Sequence, residues 1–275
     1  MKKPTVSILM TIYNHQNYLK NSIKSIINQT YKNWELIVID NGSIDDSAKI
    51  LKEIKDKRLK KFFIKKNIGR TKCLNLGLKS CKGKFIAILD SDDVAKKNRL
   101  QLQLNAFRLD QDLWMVASDF NHIDNSGKLI FYPKVAFDLK KNIKQKPRMI
   151  LLRNPIAHSS VMYRTQLLKK VGAYPKSYLY AQDYAFYLKV FRKYKIKILS
   201  QKLVNIRVPH RKSETVRILN TNRALLEHIR LLVSNLVNFK SSLHEKFLIL
   251  SSLIFNIIKF FTPKILIHRR YKIFN

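Results

Sequence analysis

Three clusters of polar side chains follow apolar runs of the sequence, and their residue types suit a nucleotide and a metal ion. The clusters are Thr11, Tyr13 and Asn14 after VSILM, residues 40–43 (DNGS) after ELIVI, and residues 90–93 (DSDD) after FIAIL. An aromatic ring, hydroxyl groups and amide oxygens suit a nucleobase and ribose. Carboxylates suit a divalent cation, which prefers hard oxygen ligands and neutralises the charge of a diphosphate. The clusters therefore indicate a nucleoside diphosphate site.

The acidic cluster of Asp90, Asp92 and Asp93 draws its significance from its position. With 18 acidic residues among 275, roughly 0.3 four-residue windows with three acids are expected by chance. However, this cluster ends an apolar run, where carboxylates are costly unless a cation or hydrogen-bond donors balance them. We therefore expect a ligand role for these carboxylates. The alternative is that Asp92 or Asp93 caps a helix.

The first ninety residues alternate predicted strands with helical patterns, which brings the clusters to one edge of a sheet. The predicted strands are VSILM (6–10), ELIVID (35–40), KFFIK (61–65) and FIAILD (85–90). Continuous apolar runs are typical of parallel strands buried on both faces. The order predicts a Rossmann-like, doubly wound, mostly parallel α/β sheet. In such sheets ligands bind beyond the carboxyl ends of the strands.

The remainder of the chain has a looser pattern. We predict helices over 98–109, 183–194 and 216–239, and strands over 114–120 and 158–164. Residues 1–213 are expected to form a catalytic domain. Residues 214–275 are expected to form a basic, α-helical C-terminal extension.

Six segments together resemble the family 2 glycosyltransferases, which have the GT-A fold. They are VSILMTIYN, NQTYKNWELIVIDNGSIDDS, NIGRTKCLNLGL, GKFIAILDSDD, HSSVMYR and VGAY…AQDYAFYLKV, in the family's order over roughly residues 4–195. The resemblance implies transfer of a sugar, with inversion, from a nucleoside-diphosphate sugar (a UDP-sugar is expected) to an acceptor hydroxyl. The expected pathway is lipopolysaccharide, lipooligosaccharide, capsule or other cell-surface glycan synthesis. The expected cofactor is Mn²⁺ or Mg²⁺.

The same resemblance assigns roles to individual residues. Four side chains are expected to hold the nucleoside: Thr11, Tyr13, Asp40 and Asn41. Three carboxylates are expected to form the motif for ribose and metal, with the last two as metal ligands: Asp90, Asp92 and Asp93. Asp183 is the expected catalytic base, which accepts the proton of the acceptor hydroxyl as that oxygen attacks the sugar.

Two positions depart from the family's usual motifs. Asn41 stands where a second aspartate is common, and its amide oxygen can still accept a hydrogen bond from a base. Gln182 stands where glutamate is common beside the catalytic base. Other positions match the family but suit a purely structural role equally well, as turn glycines, a solvated lysine or a core histidine: Asn67, Gly69, Lys72, Asn75, Gly77, His158, Arg207 and His210.

The formal net charge of +36 favours polyanionic partners such as nucleic acid, anionic lipids or acidic glycans, although a compositional bias toward lysine explains much of this charge equally well.

Three alternatives to a glycosyltransferase were weighed against the sequence. A nucleotidyltransferase lacks support because the loop after the first strand has no glycine. A basic nucleic-acid-binding protein lacks a recognised motif, and we expect no nucleic acid partner. An inactive scaffold is disfavoured because the motif acids are present.

The segment FLILSSLIFNIIKFF (247–261) has 15 residues, fewer than the roughly 20 that span a bilayer. The basic residues that follow it favour an interfacial helix on the cytoplasmic face of a membrane. Packing on the catalytic domain, or a homodimer contact, is the alternative.

Cys73 and Cys81 match no zinc pattern and fit a reducing compartment. The N-terminal apolar run is too short for a signal peptide.

Overall fold

The computed structural model describes residues 3–130, 150–151, 154–208, 222–238 and 242–261. Within these residues a nine-stranded sheet carries helices on both faces. The strands are β1 (Val6–Ile12), β2 (Trp34–Asp40), β3 (Leu59–Phe63), β4 (Phe85–Ile88), β5 (Val94–Ala95), β6 (Leu113–Ile123), β7 (Leu129–Ile130), β8 (Met162–Arg164) and β9 (Lys195–Arg207). The helices are α1 (Gln16–Ile27), α2 (Ser47–Glu53), α3 (Arg70–Ser80), α4 (Arg99–Leu109), α5 (Leu167–Val171), α6 (Gln182–Phe191), α7 (Asn222–Asn238) and α8 (Leu243–Phe261).

The strand order is β3-β2-β1-β4-β8-β6-β9-β5, and β7 pairs with β6. The first four strands of this order are parallel. Strand β8 is antiparallel to both β4 and β6, and β9 runs parallel to β6. In the described chain β1, β2, β3, β4, β6 and β9 therefore share one direction. The predicted doubly wound, mostly parallel α/β sheet is confirmed.

Side chains of the central strands alternate between two apolar layers. Leu9 belongs to the layer that also holds residues of α3 and α6. Its neighbours Ile8 and Met10 belong to the opposite layer, with residues of α1 and α4. Since both faces are covered, most positions of these strands are apolar, which explains the near-continuous apolar runs in the sequence. Burial of each such side chain contributes about 1.5–3 kcal/mol.

Two predicted strands have different boundaries in the structure. Strand β3 ends at Phe63, so the predicted span 61–65 is shifted toward the C-terminus. The predicted strand 158–164 divides into a 3₁₀ turn, His158–Ser160, and the short strand β8. The Ser160 hydroxyl donates to the Ala157 carbonyl at 2.8 Å, and such local hydroxyl bonds compete with extended backbone.

The predicted C-terminal helical extension is present as α7 and α8. Leu231, Leu232 and Ile249 of these helices join the apolar layer that contains α6. The expected boundary between residues 213 and 214 lies outside the described residues. Among the helices that the structure describes, none is long and apolar enough to cross a membrane.

Candidate functional site

Parallel pairing brings the predicted clusters together. The register of β1 and β2 pairs Ile12 with Asp40, so Thr11 and Tyr13 lie beside the end of β2. The register of β1 and β4 pairs Leu9 with Ile88, so the acidic cluster follows on the other side of β1. All three clusters therefore share the carboxyl edge of the sheet, where open α/β sheets bind ligands.

Asp40 presents a free acceptor at this edge. The residue is buried, with 3% of its surface exposed. Its Oδ2 accepts the backbone N–H of Ser43 at 3.3 Å, whereas its Oδ1 has no hydrogen-bond partner within the described chain. A buried acceptor without a donor costs about 1–3 kcal/mol. A ligand N–H would satisfy this oxygen.

Asn41 holds the loop that leads into α3. Its amide nitrogen donates to Asn67 Oδ1 at 3.0 Å, and its Oδ1 accepts the backbone N–H of Ile68 at 3.1 Å. The acceptor that we expected to face a nucleobase is therefore engaged by the protein. An ionised aspartate at position 41 could not donate to Asn67. The asparagine that replaces the family's usual aspartate therefore provides a hydrogen bond that this loop uses.

Arg70 is a site residue that the sequence analysis did not single out. It begins α3, and its Nη2 donates to Asp90 Oδ1 at 2.6 Å. His158 Nδ1 lies 3.0 Å from the same Arg70 nitrogen and 3.1 Å from Asp90 Oδ1. The place of Arg70 directly after Gly69, at the start of a helix that follows a strand, was the available sequence signal.

The charges of this cluster stabilise one another. The carboxylate of Asp90 raises the pKa of Arg70, and the carboxylates of Asp183 and Asp92 add to the rise. Burial alone would raise the pKa of Asp90, but the charges of Arg70 and His158 outweigh it and hold this pKa well below its usual range. The charge of one guanidinium thus interacts with the carboxylates of the acidic motif and with the carboxylate of the expected base.

The two expected metal ligands have different surroundings. Asp93 is buried; its Oδ1 accepts the backbone N–H of Arg207 at 2.8 Å, and its Oδ2 accepts the Ser159 hydroxyl. Burial, together with the charges of Asp92 and Asp90, raises the pKa of Asp93 well above its usual value. Asp92 is partly exposed instead. Its carboxylate is therefore the more accessible of the two.

Asp183 lies in the first turn of α6 and is partly exposed. Its Oδ1 accepts the backbone N–H of Tyr184 at 2.7 Å, and its Oδ2 accepts the amide N–H of Asn154 at 3.2 Å. These donors fix the rotation of the carboxylate.

Several weaker candidates hold the structure together. The amide of Asn75 donates to the Tyr174 carbonyl at 2.8 Å and accepts the Tyr174 N–H at 3.1 Å. A Cβ on Gly77 would lie 2.3 Å from a methyl of Leu9, so glycine is needed for α3 to approach β1. Lys72 is exposed.

The remaining candidates support the acidic loop or lie outside the described chain. His158 is buried, and its Nε2 lies 3.2 Å from the Tyr174 hydroxyl. The Arg207 guanidinium donates to the Asp92 carbonyl at 3.0 Å and lies 4.3 Å from the ring of Tyr18. Arg207 therefore braces the loop. His210 lies outside the described residues.

Carboxylates, a guanidinium and a free acceptor thus lie together at the carboxyl edge of an α/β sheet, where open sheets of this kind bind ligands. Residues 7–172, more than half of the chain, match the model of the family described as glycosyl transferase family 2. The chain belongs to this family, and it is a glycosyltransferase. The predicted family is thus confirmed. This match favours a glycosyltransferase over the two alternatives, a nucleotidyltransferase and a nucleic-acid-binding protein.

A curated relative agrees with this assignment, and a solved structure shares the fold. An uncharacterized glycosyltransferase of Methanocaldococcus jannaschii is 34% identical over 225 residues, which are 79% of this chain and 76% of the relative. The crystal structure of S. aureus TarS 1-349 in complex with UDP-GlcNAc has a TM-score of 0.70 at 21% identity, and the match covers 93% of this chain and 73% of that TarS chain.

A second solved structure has the same fold. The mannosyltransferase PcManGT of Pyrobaculum calidifontis, in complex with GDP-Man and Mn²⁺, has a TM-score of 0.70 at 17% identity. The match covers 94% of this chain and 74% of that enzyme. Together with TarS it confirms the GT-A fold.

Asn is expected to replace Asp93 with little loss of stability. An Asn oxygen can accept the Arg207 N–H while its NH₂ group donates to Ser159, so Asp93→Asn should change the free energy of unfolding by less than about 1 kcal/mol. Asp93→Ala leaves both donors unpaired and should cost about 2–4 kcal/mol. Urea unfolding of both variants measures the difference. Equal losses for Asn and Ala would contradict this account of the Asp93 contacts.

Proposed function

We propose that this glycosyltransferase binds a UDP-sugar and a divalent cation at the carboxyl edge of the sheet and transfers the sugar with inversion. The observation that carries the proposal is the position of the Arg70 guanidinium. It pairs with Asp90, and the charges of Asp92 and Asp183 also raise its pKa. The acidic groups proposed for the donor and the separate carboxylate proposed for the acceptor therefore both lie close enough to act on one guanidinium.

The free Oδ1 of Asp40 supports uracil as the base. Uracil presents a ring N–H, whereas the corresponding cytosine nitrogen is an acceptor that would oppose a carboxylate. Thr11 and Tyr13, on the adjacent strand end, are half-buried and can line the base and ribose. Guanine also presents a ring N–H, and the two solved structures carry UDP-GlcNAc and GDP-Man respectively. UDP is our proposal and GDP is the other outcome of the binding test.

The residues present fit a cation that is shared with the donor. No group of three or more His, Cys, Asp or Glu side chains among the described residues could hold a metal ion by itself. Mg²⁺ is commonly bound by one or two carboxylates together with substrate phosphates, so Asp92 with the donor diphosphate suffices. Mn²⁺ or Mg²⁺ would supply positive charge for the leaving diphosphate. The oxygens of Asp93, the other predicted metal ligand, already accept protein donors.

Asp183 is the proposed catalytic base. In its ionised form it would accept the proton of an acceptor hydroxyl during attack, because a carboxylate is too weak a base to remove it beforehand. The Asn154 amide orients this carboxylate. Inversion follows if the hydroxyl attacks from the side of Asp183 and the nucleotide leaves from the side of Asp92.

The acceptor is proposed to be a cell-surface glycan or glycolipid, reached by peripheral docking on the cytoplasmic face of a membrane. One side of α8 packs on the protein through Ile249 and Ser252, which are buried. The other side exposes large apolar side chains: Phe247, Leu250, Ile254, Phe255, Ile257 and Ile258. An exposed apolar face of this size marks an interaction surface.

The sequence after α8 supports a lipid surface as the partner. Lys264, Arg269, Arg270 and Lys272 follow within 15 residues, outside the described structure. Each is worth about 1 kcal/mol near anionic headgroups, and the formal net charge of +36 adds a long-range attraction. A homodimer contact through the same apolar face is the other outcome of the test.

Asp183→Asn is expected to abolish transfer while donor binding stays within about two-fold of wild type. The amide cannot accept the proton, and loss of a general base lowers turnover by about 10²–10⁴-fold. Initial rates with a UDP-sugar, together with calorimetric binding of UDP, separate the two effects. Turnover close to wild type would remove Asp183 from the mechanism.

Asp92→Asn is expected to weaken cation-dependent binding of UDP. Thermal shift with UDP, in the presence of Mn²⁺ or EDTA, measures this without turnover; at 100 times its dissociation constant a ligand adds about 2.7 kcal/mol. Wild type should lose most of its shift in EDTA, and Asp92→Asn should lack the Mn²⁺-dependent part. GDP run in parallel tests the nucleotide. Equal UDP binding with and without chelator would refute the cation proposal.

Phe255→Ser with Ile254→Ser, in the full chain, is expected to reduce flotation with anionic liposomes, because both side chains belong to the exposed face of α8. Wild type should float, and salt should weaken the binding. Leu109→Ser is the matched control, since this residue is 81% exposed at the end of α4. If wild type ignores the vesicles but light scattering shows a dimer that the double variant loses, the face is a subunit contact.

A further inference from the structure

We infer that Glu227, on the C-terminal helix α7, is a positioning residue for the catalytic base; this inference rests on the proposed role of Asp183. The Glu227 carboxylate accepts the N–H of Leu179 at 2.9 and 3.0 Å, of Tyr180 at 2.8 Å and of Ala181 at 3.2 Å. These three consecutive amides lead directly into α6, whose second residue is Asp183.

A helix start leaves backbone N–H groups without intrahelical partners, and an anion there is favourable. Ala181, at the N-cap position of α6, provides no side-chain cap. Glu227 supplies the acceptor from 46 to 48 residues further along the chain. Because one carboxylate binds three adjacent amides, it fixes the path of the backbone just before the base.

Gln182 complements this arrangement. In the amide orientation that satisfies its hydrogen bonds, its nitrogen donates to the carbonyls of Leu179 at 2.9 Å and Tyr180 at 3.2 Å. A glutamate at position 182 would instead bring an acceptor against two acceptors. Thus Glu227 binds the N–H groups of the segment and Gln182 binds its carbonyls.

The segment 178–181 also contacts the donor side of the site. The hydroxyl of Thr71, the neighbour of Arg70, donates to the Tyr178 carbonyl at 3.2 Å. Helix α7 therefore holds, through Glu227, a segment that is tied at its other end to α3. This arrangement sets the position of Asp183 relative to Arg70.

Further contacts make α7 and α6 a single unit. The ring of His228 stacks on Tyr184, with centroids 5.0 Å apart and planes at 25°. At the far end of α6, the Arg192 guanidinium donates to Asn235 Oδ1 at 3.2 and 3.1 Å. Helix α7 therefore contacts α6 near both of its ends. Loss of Glu227 should increase the mobility of the start of α6, while the other contacts keep α6 packed on α7.

Glu227→Ala is expected to lower kcat by roughly 10- to 100-fold, because a small displacement of a catalytic group has effects of this size. The donor KM should stay within about two-fold, since the donor residues lie on other elements. Glu227→Gln keeps one acceptor oxygen and should recover much of kcat. Hydrogen exchange at the amides of residues 179–181 should accelerate in Glu227→Ala.

Glu245→Ala is the matched control. This residue lies on α8, and its Oε2 accepts from Arg192 Nη1 at 3.4 Å and from the Ser242 N–H at 3.1 Å. The change should lower stability while kcat and exchange at residues 179–181 stay at wild-type values. A wild-type kcat for Glu227→Ala, or an equal fall in kcat for Glu245→Ala, would overturn the positioning role.

Failure of the proposed function has a different signature. In that case Asp183→Asn would keep the wild-type kcat. If only the positioning inference fails, Asp183→Asn is inactive while Glu227→Ala is fully active. Exchange at residues 179–181 reports the contact with Glu227 in both cases, because it does not depend on turnover.

Discussion

Several carboxylates converge on the carboxyl edge of the sheet, and the Arg70 guanidinium offsets part of the charge of three of them. Asp90 pairs with it directly at 2.6 Å, while Asp92 and Asp183 act on it from further away. Burial and like charges this close favour protonation of a carboxyl, and they raise the pKa of Asp93, whereas the charge of Arg70 helps to hold the pKa of Asp90 low. A neutral carboxyl could serve neither as base nor as cation ligand. The pairing of Arg70 with Asp90 is therefore the constraint on which the site depends.

Other polar residues of the motifs support this cluster through contacts within the protein. Asn41 fixes the loop that ends at Arg70, and Asp93 binds the backbone of Arg207 and the hydroxyl of Ser159. Each of these contacts sets the backbone position from which a neighbouring side chain extends. A motif residue thus contributes through the geometry of adjacent side chains as well as by direct contact.

The C-terminal helices belong to this arrangement. Through Glu227, α7 contacts the segment that precedes Asp183, and Leu231 and Leu232 of the same helix enter the apolar layer beneath α6. The outward face of α8 is exposed and apolar. The same helical pair therefore joins the proposed membrane surface to the proposed base.

The sequence by itself determined the sheet and the edge at which the site lies. Continuous apolar runs such as VSILM require burial on both faces, and helical spacing between them requires crossovers. It also placed Asp40, Asp90 and Asp92 at strand ends. Only the tertiary structure decided that Asp93 is engaged internally, that Arg70 pairs with Asp90, and that Glu227 reaches the start of α6. Those contacts join residues 20 to 114 positions apart, and local patterns carry no information on which distant side chains will meet.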